Sequence, residues 1–159
     1  MLTITVDDSA FRTYLEQLQK DLGDLYPVMD SIGNALETRV RQRFQTRTDP
    51  QGQPWSPWRE STQEGYPFPG SPAAAVEGPG NGRLLDRHGT MLSLLSYNPD
   101  NTSVRIGFAS EYAEYHEWGT VNMDRRGMLF ADPDAGTLGE NDEAAVLDIL
   151  AVWLDDLAQ

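Results

Sequence analysis

The chain has 159 residues, 39% of them hydrophobic, with a formal net charge of −13, a mean hydropathy of −0.51 and a pI near 4.3. That length fits one ordinary domain with one core, and no apolar run approaches the roughly 20 residues of a membrane span. The acidity repels a phosphate backbone and argues against sequence-specific nucleic-acid binding, while the absence of cysteine removes disulfides, thiolate nucleophiles and Cys-based zinc sites together.

In chain order, Leu2, Ile4 and Val6 alternate with Thr3 and Thr5, the pattern of a short half-buried strand. This opening lacks the basic region and long apolar stretch of a signal peptide, so cytoplasmic synthesis is expected. Asp8 or Ser9 caps a helix with Phe11, Leu15, Leu18 and Leu22 on one face, closed by Gly23. A second helix starts near Pro27, and Val28, Ile32, Leu36, Val40 and Phe44 recur along it at helical spacing. Arg39, Arg41, Arg43 and Arg47 crowd its C-terminal end. The ordinary reading of that cluster is a solvated face compatible with the helix dipole. The functional alternative is a surface that pairs with an acidic neighbouring subunit.

Residues 46–82 read as one long irregular loop. Seven of the ten prolines fall there, with glycines between them, which excludes regular structure over most of its length. Such a loop is too long for a simple connector. Its aromatics Trp55, Trp58, Tyr66 and Phe68 point to ordering against something else, since pure linkers are aromatic-poor. Order is expected to return at Arg83. Leu92 to Tyr97 and Thr102 to Phe108 read as two strands around an Asn98-Pro99-Asp100-Asn101 turn. Glu111 to Trp118 reads as a short helix ended by Gly119, Met128-Leu129-Phe130 as a short strand, and Asp142 as the cap of a last helix with Val146, Ile149, Leu150, Trp153 and Leu157 inward. The fold class is α+β, a small antiparallel sheet flanked by helices, in a single domain over residues 1–159.

Candidate chemistry is thin. His116-Glu117 begins a metalloprotease helix motif, but the second histidine would stand at Thr120, so the motif fails. His88 is the only other histidine. Asp7-Asp8 and Asp155-Asp156 are adjacent pairs that do not face each other on a helix. No serine sits in a nucleophile-elbow context and no glycine loop cradles phosphate. Charge is segregated: nine of the 12 basic residues precede Asp100, and the last third is strongly acidic.

Three blocks carry a resemblance: Asp49-Pro50-Gln51-Gly52-Gln53-Pro54-Trp55, then Leu84-Leu85-Asp86-Arg87-His88-Gly89, then Tyr112-Ala113-Glu114-Tyr115-His116-Glu117-Trp118-Gly119 followed by Arg125-Arg126-Gly127-Met128-Leu129-Phe130. In this order the chain resembles the phage virion morphogenesis family, the tail completion proteins of Mu-like and related tailed phages. Where the family shows Pro-Arg-x-Phe, this chain carries Arg126-Gly127-Met128-Leu129-Phe130. The resemblance implies a structural virion protein at the head–tail junction or tail terminus, assembled in the host cytoplasm. It implies self-association as a ring, often six-fold, with neck, connector and tail tube proteins as partners. It implies DNA passing nearby without specific binding, no cofactor and no enzymatic activity. The interface residues expected from the loop, the arginine cluster and the short helix are Arg39, Arg43, Arg47, Trp55, Trp58, Tyr66, Phe68 and Trp118. The alternatives are a small metal-dependent hydrolase using His88 and His116, and a module that binds a host factor through the loop tryptophans.

Overall fold

A computed structural model describes residues 2–4, 13, 16, 17, 20, 24–65, 84, 85 and 89–157. Three strands form one antiparallel sheet in the order β1-β3-β2: β1 is Leu2–Ile4, β2 is Leu95–Pro99 and β3 is Val104–Phe108. The register sets Leu2 and Leu95 on either side of Phe108, and Ile4 and Tyr97 on either side of Ile106. Among the described residues five helices with assigned bounds lie around the sheet: α1 (Tyr26–Thr46), α2 (Glu60–Gly65), α3 (Thr90–Ser93), α4 (Tyr112–Trp118) and α5 (Glu140–Leu157). The α+β class expected from the sequence is what the chain adopts.

The period of α1 explains its place. Val28, Ile32, Leu36 and Val40 are all buried, and Phe44 is half-buried on the same stripe. That stripe packs on β2 and β3 and, further round, on α5. Gly33 permits the closest approach: a Cβ there would overlap the Tyr97 ring, whose hydroxyl reaches Asp30 on α1 at 3.1 Å. Ile106 and Phe108 from β3 complete the centre, with Phe44 and Phe108 rings 5.9 Å apart.

Several boundaries differ from the sequence reading. Leu92 to Leu94 is not strand. Gly89 enters at φ 75°, and the turn of α3 closes with the Ser93 amide on the Gly89 carbonyl, so that Met91 and Leu95, four apart, both point inward. The strand turn sits two residues later than expected. Asp100 holds it by accepting from the Thr102 and Ser103 amides, and the Ser103 hydroxyl, with these amides, lowers its pKa. Thr13, Glu16, Gln17 and Lys20 are helical and exposed, as the polar side of the first expected helix should be. Its apolar positions Phe11, Leu15, Leu18 and Leu22 lie outside the described residues.

Candidate functional site

The segment Arg125–Phe130 is the polar centre of the molecule. Read as a strand from its Met-Leu-Phe run, it is not one: it joins no ladder, although Arg126 to Phe130 are all buried. Buried backbone groups need partners, and here side chains from three other regions supply them.

Glu117 is the first. It lies on the inner face of α4 with Ala113, four residues earlier, and both are 0% exposed. Its Oε2 accepts the Met128 amide at 2.6 Å and the Leu129 amide at 3.1 Å, and its Oε1 accepts the Phe130 amide at 2.9 Å. Arg125 adds Nη2 to that carboxylate at 3.4 Å, and donates to the carbonyls of Glu117 and Phe130. Burial pushes the Glu117 carboxyl upward, against the pull of the three amides and Arg125. Gly119, at φ 77°, ends α4 so closely against Arg125 that a Cβ would stand 2.9 Å from its amide.

The end of α1 is the second. Arg43, only 7% exposed, donates from Nη1 to the Met128 carbonyl at 2.8 Å and from Nη2 to Asp142 Oδ2. Arg39 donates to the other oxygen of Asp142 at 2.6 Å. Asp142 was expected as a helix cap. Instead α5 begins two residues earlier, and the Asp142 carboxylate, 1% exposed, is the counter-ion of two arginines.

The early part of the proline-rich stretch is the third. Asp49 folds a tight turn by accepting the Gln51 and Gln53 amides. Trp55 then enters the core, edge-on to Phe44 at 5.4 Å, and its Nε1 donates to the Gly127 carbonyl at 2.9 Å. Arg126 ties the same stretch by donating to the carbonyls of Ser56 and Pro57. Residues 47–59 of the expected loop thus find their partner inside the chain, docking on this segment. Residues 60–65 form α2 and are not irregular.

The expected interface residues therefore separate. Arg39, Arg43 and Trp55 make contacts inside the chain. Arg47, in the left-handed conformation just past α1, is exposed. Trp58 is half-buried. Trp118 is 44% exposed, leans on Phe130 with ring centroids 6.2 Å apart, and donates to Asp134 at 3.2 Å. Tyr66 and Phe68 lie outside the described residues, as does His88. His116 is partly buried beside Arg126. Burial, then the Arg126 charge, lowers its pKa to about 4, and its Nδ1 is buried without a hydrogen-bond partner. Among the described residues no three His, Cys, Asp or Glu side chains are placed to hold a metal ion.

A model of the phage virion morphogenesis family matches residues 6–155. The chain belongs to that family. No curated protein and no solved structure matches it. Membership assigns a role in phage virion assembly, structural in kind, and makes the protein virion-associated. Among the described residues no helix is long and apolar enough to cross a membrane.

Glu117 and Asp142 were missed as organisers, although each carried a signal. Glu117 stands four residues after Ala113, a carboxylate at the buried phase of a helix. Asp142 is an acid in the first turn of a helix that must pack against an arginine-rich one.

Proposed function

We propose that the protein is a structural virion component at the head–tail junction or tail terminus, where it completes or terminates the tail by assembling as a ring, six-fold as the family resemblance implies. Its subunits pack through the stretch from Pro50 to Pro79 and the arginine-bearing end of α1. Neck, connector and tail tube proteins are its partners. The observation that carries this reading is the uneven charge along the chain: from Glu111 to Asp156 every exposed charged side chain is acidic, while the first half exposes both signs, Lys20, Arg47 and Arg59 beside Glu16, Asp24 and Glu60. A head-to-tail contact between unlike surfaces closes into a ring and uses such asymmetry directly. The acidic part faces the DNA path, where like charge lets DNA slide without sticking. This reading gives the chain no enzymatic step.

An image of the virion neck with this subunit located tests the placement: density at the junction or terminus in ring form is expected. Sedimentation that finds only monomer at high concentration with neck proteins present counts against the ring. Carboxylates of α5 on the outer rim of a resolved ring would sink the lumen assignment.

A further inference from the structure

Among the described residues eight large hydrophobic side chains are exposed, and four of them fall within ten residues: Tyr112 at 69%, Tyr115 at 55%, Trp118 at 44% and Val121 at 98%. The three aromatics recur at intervals of three along α4, on the face opposite Ala113 and Glu117, and Val121 follows in the turn closed between Thr120 and Met123. Scattered surface apolar residues are ordinary, but a contiguous one is not. Tyrosine and tryptophan are the residue types that anchor protein interfaces. The platform is also rigid, because Glu117 on the other face of the same helix is bound to three successive amides. A surface held in place before contact loses less freedom on binding.

We infer that this outer face of α4 is the docking surface for a second copy of the chain, and that it receives the Arg47 end of α1 with the Gln51–Pro54 turn beside it. The inference rests on the ring reading above and names the surface that completes it. Charge selects the occupant. The patch is bordered by Glu111, Glu114 and Asp134, all exposed. Two acidic rims would repel, so the patch does not meet its own copy across a two-fold axis. Arg47 is exposed, makes no ion pair among the described residues, and stands at a turn whose Gln51, Gly52, Gln53 and Pro54 are all exposed. A guanidinium over a tyrosine or tryptophan ring, with carboxylates at the edge, combines cation–π and ionic attraction. The two surfaces differ, so the contact is head-to-tail and propagates around a ring.

The natural chain has no cysteine, so introduced ones report without background. Full-length protein carrying both Glu111→Cys and Gln53→Cys, at the exposed edges of the two surfaces and outside the ring–guanidinium contact, treated with a short bis-maleimide under conditions where the ring forms, is expected to give a covalent ladder beyond the dimer, and each single variant no ladder. A dimer from Glu111→Cys alone overturns the head-to-tail assignment. A ring seen by light scattering with no ladder from the double variant overturns the docking surface and leaves the ring reading standing. Monomer under every condition, including assembled particles, removes both. As a second arm, Tyr112→Ser with Tyr115→Ser is expected to weaken self-association by more than about tenfold with the thermal midpoint unchanged. A variant that assembles rings normally yet fails to join tails puts a different virion protein on this face and overturns the proposal.

Discussion

The two faces of α4 contrast sharply in how their groups are satisfied. Inward, Glu117 is fully buried and each of its oxygens has donors. Outward, one turn away on the same helix, Tyr112 and Tyr115 are open to solvent. A buried carboxylate is tolerated only when hydrogen-bonded and charge-compensated, so the inner face specifies the fold. The outer aromatics add nothing comparable to the monomer and are free to serve assembly. The difference teaches that one seven-residue helix can fix the structure on one side and present a surface on the other, so substitutions a single residue apart should fail in different ways.

The largest effect should come from the inner web. Asp142→Ala leaves the buried Arg43 guanidinium without its counter-ion and is expected to cost about 3–5 kcal/mol, read as a lower denaturant midpoint with an unchanged slope. Glu117→Gln keeps the shape but turns an amide N–H₂ toward backbone donors, for a loss of about 2–3 kcal/mol in the same measurement. If either variant unfolded like the parent, the web would not organise the fold and the contrast would collapse. His116 gives a pH-dependent version. Its folded pKa, about 4, lies below the ordinary 6.5, so its contribution is present above pH 6.5 and is lost as pH falls toward 4. With its partial exposure discounted, that loss is about 2 kcal/mol across the window. Glu117, shifted upward by burial, acts in the opposite sense over acid pH. The difference between parent and His116→Gln therefore carries the signal: the variant should show a flatter fall between pH 6.5 and 4. The smallest change in monomer stability belongs to Tyr112→Ser, expected within about 0.5 kcal/mol. A large loss there would show the outer face holding the fold too.

How much of this was legible in sequence depended on whether the cause was local. The period of Val28, Ile32, Leu36, Val40 and Phe44 located α1, because which face of a helix is apolar is written every three or four residues. The last helix was readable for the same reason, and the short helix before it from the Gly119 that ends it. Met128-Leu129-Phe130 was not. A short apolar run is compatible with a strand, and only the arrival of a carboxylate from 11 residues earlier makes it a clamped irregular segment. Trp55 posed the same problem from the other side. Proline and glycine around it signalled a loop correctly, but the acceptor for its indole is Gly127, 72 residues on. The outer patch of α4 was half legible: Trp118 was singled out from its residue type, while Tyr112 and Tyr115 needed the burial of Ala113 and Glu117 to show which way they face.

The pairing of Arg39 and Arg43 with Asp142 spans 103 and 99 residues. During synthesis α1 leaves the ribosome long before its counter-ion exists, so the nascent helix carries two guanidinium groups toward a site still vacant. Loops of that length close late. A ribosome stalled before Asp142 therefore holds a chain whose α1 guanidinium groups have no counter-ion with which to be buried.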